Sequence, residues 1–170
     1  MNQSVERLNE LSASEATAEF LKCCGATRWA QTMSEARPFA DADELFTKAG
    51  DAWWSLTQAD WLEAFRAHPK IGEKKAAATQ SEQARAWSAQ EQSGVASAST
   101  KAINELAERN REYEDRFGFI FIVCASGKSS EEMLSILNSR MDNDRKTELR
   151  TAAEEQHKIT RLRLEKLLNQ

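Results

Sequence analysis

Helix-start signals recur along this chain, and few residues interrupt the segments between them. The 170 residues include only two prolines and six glycines, the residue types that most strongly disfavour a helix interior. Ser12-Ala-Ser-Glu15 has the form of a capping box, and Asp41-Ala-Asp-Glu44 opens a second helix in a similar way. Hydrophobic residues follow both signals at helical spacing. The pattern predicts an all-α fold, a single-domain bundle of about seven to nine helices over residues 1–170.

Five further helices are expected from the same kind of signal. The first is a short helix from Thr57 to the His68-Pro69 pair, the second covers residues 81–93, and the third covers residues 99–117 and is closed by Gly118. The fourth is capped by Ser129 or Ser130, and the fifth runs from about Asp144 nearly to the end of the chain. The segment Phe119-Ile-Phe-Ile-Val-Cys124 departs from this pattern, because it is short and rich in β-branched and aromatic residues. It is predicted to be a buried extended segment or an extension of a helix.

Composition and charge exclude several classes of protein. No uninterrupted apolar run approaches the roughly 18 residues of a membrane span, and no basic segment followed by an apolar stretch suggests a secretory signal. The formal net charge of −4 argues against a nucleic-acid surface. Three cysteines, two of them adjacent, cannot build a disulfide framework. We therefore expect a cytoplasmic protein with no membrane or nucleic-acid partner.

Two apparent ligand motifs fail on their spacing. Ser126-Gly-Lys-Ser129 resembles the end of a phosphate-binding loop, but that loop needs a glycine where this chain has Ile122. A turn leading into a capped helix is the prediction for this segment. The chain also lacks a Cys-x-x-Cys pair and a His-Glu-x-x-His helix. We expect no metal site and no cofactor.

His68 is the first candidate for chemistry. It follows a strongly apolar short helix and precedes Pro69, which favours an extended backbone at His68 and so holds its imidazole in a defined place. Histidine donates or accepts a proton near neutral pH. The alternative is that His68 only caps the carbonyls of the preceding helix.

The second candidate is a polar patch within an otherwise apolar helical stripe. The predicted inward positions are Ala84, Trp87, Ser88, Glu91, Gln92 and Val95. A hydroxyl, a carboxylate and an amide that face inward together need hydrogen-bond partners, which a polar ligand would supply. The alternative is a short helix that lies flat on the surface and faces water.

Arg163 is the third candidate. The last helix carries a stripe formed by Leu149, Ala152, Gln156, Ile159, Arg163 and Leu167. An arginine on this apolar side binds a carboxylate through two parallel hydrogen bonds. The alternative is a guanidinium that reaches solvent along the helix.

Five motifs in one order give these candidates a family resemblance. They are His68-Pro69-Lys-Ile-Gly72, Ser88-x-x-Glu91-Gln92-x-Gly94, Arg116-Phe-Gly-Phe-Ile-Phe-Ile-Val-Cys124, Arg140-x-x-Asn143 and Ile159-x-x-x-Arg163-Leu164. Over roughly positions 10 to 168 the chain resembles the 2-oxo-4-hydroxy-4-carboxy-5-ureidoimidazoline (OHCU) decarboxylases. Where many members of that family carry an aspartate and a basic residue, this chain has Lys70 and Glu73.

The resemblance implies an all-α carboxy-lyase, usually a homodimer, that needs no cofactor. Its reaction converts OHCU to (S)-allantoin, the third step of urate degradation. The implied catalytic residues are His68, Glu91 and Arg163, although Arg161 lies close enough to leave the choice of arginine open. The implied substrate contacts are Pro69, Ser88, Gln92 and the backbone of Phe121, Ile122, Val123, Cys124 and Ala125.

Two other classes of function compete with this reading. One is a non-catalytic helical binding module for a ureido metabolite or a peptide, in which neither His68 nor Glu91 would be needed for ligand binding. The other is a nucleotide-dependent kinase that uses the turn at Ser126-Gly-Lys-Ser129, against which Ile122 argues.

Overall fold

The computed structural model describes residues 2–70, 82–92 and 100–170. Within these residues it contains nine α-helices and no β-strand. The helices are α1 (Asn2–Glu10), α2 (Ala13–Cys23), α3 (Thr27–Glu35), α4 (Ala42–Trp54), α5 (Gln58–Arg66), α6 (Glu82–Glu91), α7 (Thr100–Phe117), α8 (Ser130–Arg140) and α9 (Arg145–Leu168). This confirms the predicted all-α fold. Seven of the helices begin within a residue or two of a predicted start, whereas α1 and α3 were not predicted.

Side-chain caps explain which helices the sequence reveals. Ser12 accepts a hydrogen bond from the backbone N–H of Glu15, whose carboxylate accepts the backbone N–H of Ser12 in return. Asp41 and Ser129 cap α4 and α8 through the same kind of bond. Helix α3 begins after Ala26, which makes no side-chain capping bond. Its start therefore leaves no signal of this type in the sequence.

Two compact units can be distinguished within the chain. Unit 1 combines Met1–Ala64 with His157–Gln170, and unit 2 is Phe65–Gln156. Helix α9 contributes residues to both units. The expectation of a single domain over residues 1–170 stays a prediction.

The core of unit 1 is built around aromatic rings. Phe20 packs edge-on against Trp29 and Phe39, with ring centroids 6.0 and 6.3 Å away. The indole N–H of Trp29 donates to the carbonyl of Ala49 at 3.0 Å. These contacts join α2, α3 and α4, which pack in sequence. The ring bulk supplies buried apolar area, and the indole hydrogen bond fixes the register of α3 against α4.

His157 is the histidine of unit 1. Its ring lies beside Trp54, with centroids 5.8 Å apart. Burial lowers the pKa of His157 from its usual 6.5, and the positive charge of Arg161 lowers the pKa further. The folded unit therefore favours the neutral imidazole.

This shift predicts a pH dependence of stability. Because the pKa of His157 is lower in the folded state than in the unfolded state, the unfolded state binds more protons below about pH 6.5. The free energy of unfolding should therefore fall as the pH decreases from about 8 to 5. In His157→Gln this part of the decrease should be absent. Urea unfolding across that range measures it, and an unchanged pH slope in the variant would contradict the assignment.

Residues 119–125 of unit 2 lie in no helix and no strand, and all except Ile120 are buried. Helix α7 ends at Phe117, and Gly118 follows with φ of +81°, a left-handed conformation that glycine adopts without steric cost. The predicted alternative of a helical extension is therefore wrong. The prediction of a buried non-helical segment is confirmed.

A buried charged network anchors this segment. The guanidinium of Arg140 donates to the carbonyl of Ile122 at 2.7 Å and to the carboxylate of Glu148 at 2.9 Å. Tyr113 and Asn143 donate to the same carboxylate, Asn143 at 2.8 Å. Burial raises the pKa of Tyr113, so its phenol stays protonated and able to donate. Because residues 119–125 form no strand, no neighbouring strand bonds to their backbone. Arg140 supplies a hydrogen-bond donor to the carbonyl of Ile122 instead.

Removing the guanidinium should destabilise the fold strongly. Arg140→Met leaves the fully buried Glu148 carboxylate without its counter-charge, a change that costs about 3–5 kcal/mol in comparable cases. The matched control is Arg150→Met, since the Arg150–Glu154 pair is exposed and its loss should change stability by no more than about 0.5 kcal/mol. Urea unfolding measures both variants. Equal losses would contradict the account of the network.

Candidate active site

His68 is held from its backbone and from its ring. Its backbone N–H donates to the carbonyl of Phe65 at 3.1 Å, just beyond the end of α5, and Pro69 follows it. Its ring Nε2 lies 2.6 Å from the side-chain oxygen of Gln156, which is fully buried on α9. The capping alternative required a bond from the ring to a carbonyl of α5. Nε2 instead bonds to a side chain of α9.

Helix α6 carries the second group of candidates. Ala84, Trp87, Ser88 and Glu91 are all buried, and Gln92 is partly exposed. The predicted inward stripe is therefore confirmed within the described residues, and Val95 lies outside them. The alternative of a helix lying flat and facing water is wrong. A carboxylate that is only 8% exposed has given up most of its hydration.

The charges around Cys124 connect α6 with the buried segment. Burial raises the pKa of the Cys124 thiol, and the charge of Lys128 opposes that shift. The carboxylates of Glu155 and Glu91 raise the same pKa. The charges of both carboxylates therefore act on Cys124, which belongs to the segment of predicted substrate contacts.

The Ser126-Gly-Lys-Ser129 segment is a turn. Gly127 has φ of +75°, and Ser129 caps α8. The ammonium group of Lys128 donates to the backbone carbonyl of Cys124 at 2.8 Å. This confirms the predicted turn into a capped helix, and it removes the structural basis for a kinase reading.

Most of the predicted site residues belong to unit 2. They are His68, Pro69, Ser88, Glu91, Gln92, Phe121, Ile122, Val123, Cys124 and Ala125. Four residues of the predicted motifs lie outside the described residues: Ile71, Gly72, Glu73 and Gly94. Lys70 is described, and its ammonium group pairs with Glu114 at 2.8 Å.

Arg163 belongs to unit 1 and is only 3% exposed. The prediction that it reaches solvent is therefore wrong. Arg161 has an exposed side chain that pairs with Glu165 at 3.4 Å and lies over the ring of Phe46. Of the two arginines, Arg163 is therefore the buried one and Arg161 the exposed one.

Sequence analysis missed three polar residues near the unit 2 candidates: Gln156, Glu155 and Lys128. Gln156 had a usable signal, since it is an amide on the predicted apolar stripe of α9. Glu155 and Lys128 had none, because charged residues at those positions are most often solvated. Within the described residues, no group of three or more His, Cys, Asp or Glu side chains is arranged to hold a metal ion.

A profile of the OHCU decarboxylase family matches residues 9–165 of this chain. The chain belongs to that family. It shares 42% identity over 152 residues with the Arabidopsis thaliana "Uric acid degradation bifunctional protein TTL", covering 89% of this chain and 47% of that protein. The chain thus spans about half the length of that relative.

Members of similar length show the same likeness. The 2-oxo-4-hydroxy-4-carboxy-5-ureidoimidazoline decarboxylase of Haloferax volcanii is 30% identical over 164 residues, which cover 95% of this chain and 92% of that one. An OHCU decarboxylase crystallised in the presence of (S)-allantoin superposes with a TM-score of 0.78 at 42% identity, covering 89% of this chain and 98% of that one. A crystal structure of (S)-allantoin synthase, 17% identical, has a TM-score of 0.72 and shares the fold.

The cysteines of this family member should be unreactive in the folded state. All three are buried, and burial raises the pKa of each thiol, that of Cys24 to about 11. Thiolate is the reactive form. An aromatic disulfide reagent at neutral pH should therefore titrate the thiols slowly in the native protein and all three quickly in urea. Rapid native reaction that Cys124→Ser abolishes would contradict the burial of the segment.

Proposed function

We propose that this chain is a carboxy-lyase that converts OHCU to (S)-allantoin in urate degradation, without a metal or an organic cofactor. The main support is that two polar side chains of unit 2, Ser88 and Glu91, are buried. Both lie on the inward side of α6, and the charge of the Glu91 carboxylate raises the pKa of the Cys124 thiol. Family membership gives this arrangement a substrate, a small carboxylated heterocycle with several hydrogen-bonding groups.

The proposed reaction needs positioning and one controlled proton transfer. The bond between the ring carbon and its carboxylate breaks, CO₂ leaves, and the electron pair enters the adjacent ring C=N bond, whose nitrogen takes up one proton from water. The resulting enol gains a proton on the neighbouring carbon and loses one from its hydroxyl group, which gives the carbonyl of allantoin. Holding the carboxylate bond in line with the π system lowers the barrier. Protonation on one face gives a single enantiomer.

The residues divide between these two tasks. His68 contacts the hydroxyl or the carboxylate of the substrate and transfers the proton, as a histidine can near neutral pH. The buried Glu91 carboxylate either sets the charge of the imidazole or repels the leaving carboxylate. Pro69, Ser88, Gln92 and the backbone of residues 121–125 bind the ring and the ureido group. Arg163 keeps the role implied by the family resemblance, binding an anionic group of the substrate.

We also propose that the protein acts as a homodimer in the cytoplasm. Within the described residues, none of the helices has the length and apolar character needed to cross a membrane. The net charge of −4 favours a small-molecule substrate over nucleic acid.

Paired substitutions test the proposed catalytic residues. OHCU is generated in place from urate by urate oxidase and hydroxyisourate hydrolase, and circular dichroism follows the appearance of one allantoin enantiomer. His68→Asn and Glu91→Gln should each lower kcat/KM by at least about 100-fold, because each removes a group that acts on the transferred proton or the leaving carboxylate. His157→Asn and Glu82→Gln make the same chemical changes elsewhere and should retain the wild-type rate.

Each result has a definite meaning. Wild-type protein that fails to accelerate the slow background reaction would contradict the decarboxylase proposal. If that protein bound the substrate or (S)-allantoin, and His68→Asn bound equally well, the binding-module alternative would replace the proposal. Acceleration by wild type that survives both site substitutions would overturn the roles of His68 and Glu91 but leave the reaction standing.

A further inference from the structure

The hydrogen bond between His68 and Gln156 joins the candidate catalytic imidazole to an uncharged side chain. Nε2 of His68 lies 2.6 Å from the amide oxygen of Gln156, which is fully buried. We infer that Gln156 is the positioning residue of His68, orienting its ring and fixing the tautomer that carries hydrogen on Nε2. The inference rests on the proposed function, in which His68 transfers the proton.

The atoms in contact determine the tautomer. An amide oxygen only accepts hydrogen bonds, so the partner nitrogen must carry the hydrogen. In a neutral imidazole the other nitrogen then holds the lone pair and can take a proton. With Nε2 committed to Gln156, that nitrogen is Nδ1.

Three restraints act together on the imidazole. Pro69 restricts the backbone of His68, and the bond from its N–H to the carbonyl of Phe65 fixes the turn. The bond to Gln156 then restrains the ring from outside its own helix. Gln156 itself lies inside α9 with no exposed surface, where few rotamers are open to it. A catalytic group restrained at both ends loses little orientational freedom on reaching the transition state.

The neutrality of the glutamine matters for the chemistry. A carboxylate at this position would favour the charged imidazolium, whereas an amide orients the ring and adds no net charge. The ring therefore remains able to take the proton that the enol hydroxyl loses and to return it to the neighbouring carbon. Both transfers go through Nδ1, so the ring ends in its starting tautomer, and the one further proton that decarboxylation consumes at the substrate's ring nitrogen comes from water.

Nitrogen NMR of the imidazoles tests the tautomer directly. The chain has only two histidines, so ¹⁵N-labelled histidine gives two ring systems, which His68→Asn assigns. In wild type the ring of His68 should show hydrogen on Nε2 and a bare Nδ1. Gln156→Met, which keeps the length of the side chain but removes the acceptor, should give a mixture of tautomers. His157 should be unchanged and serves as the internal reference.

Kinetics test the consequence for turnover. Gln156→Met should lower kcat by roughly 10- to 100-fold through misorientation of the ring. Leu149→Met, a substitution to the same residue at another buried position of α9, controls for altered packing and should keep the wild-type kcat. Gln156→Glu retains an acceptor but adds charge, so the limb of the pH profile that reports on His68 should move to higher pH. That movement would show that the side chain at position 156 acts on the ring of His68, whereas the tautomers in Gln156→Met test its positioning role.

The outcomes separate the inference from the proposed function. If wild type is active but its His68 carries hydrogen on Nδ1, the inference is overturned. An active wild type with unchanged kcat and tautomer in Gln156→Met overturns it as well. If wild type shows no acceleration at all, the proposed function fails first and the role of Gln156 in catalysis falls with it.

Discussion

The conformation of residues 119–125 in unit 2 depends on the hydrogen bonds that the guanidinium of Arg140 donates. This guanidinium binds the carbonyl of Ile122 and the carboxylate of Glu148, and its cation lies 4.7 Å from the centre of the Phe121 ring. Residues 119–125 have neither a helix nor a sheet to satisfy their backbone groups, which are costly to bury without hydrogen bonds. A buried ion pair is a weak source of net stability, but here it holds an irregular segment in one conformation.

That conformation holds in place the backbone that we propose binds the substrate. Because the segment is fixed, its backbone groups lie at defined positions, and the ammonium group of Lys128 binds the carbonyl of Cys124 near its end. Ser88 and Glu91 of α6 face inward among apolar neighbours, where a charge is felt more strongly than in water. Polar groups that are already desolvated and oriented need little rearrangement when a substrate binds. The same feature, a carboxylate kept in an apolar helix face, is costly for stability and useful for chemistry.

Local signals made most of the helices predictable. The caps at Ser12, Asp41 and Ser129 act over three or four residues, so the sequence reveals them, and all three are present. Helix α3 starts at Thr27, after an Ala26 that makes no side-chain cap, and is stabilised by packing, such as that of Trp29, which only the folded chain shows. The path of residues 119–125 was left open for a similar reason. Arg140, which anchors it, is 18 residues away from Ile122.

The candidate site was predictable in part. Helical spacing placed Ser88 and Glu91 on an inward stripe of α6 and Arg163 on the apolar side of α9, but it did not exclude that Arg163 reaches solvent. Individual roles came from the family resemblance and not from the residues alone. Gln156 was placed on a buried stripe without a role, since its partner His68 is 88 positions earlier in the chain and no sequence pattern links the two.

The location of the site can be measured most directly by titrating the labelled protein with (S)-allantoin and following its backbone and imidazole resonances. The account predicts that saturation shifts the resonances of His68, Ser88, Glu91 and Val123, and that (R)-allantoin shifts them less. Saturation that instead moved the resonances of Phe46 and His157, and left those around His68 unchanged, would contradict it.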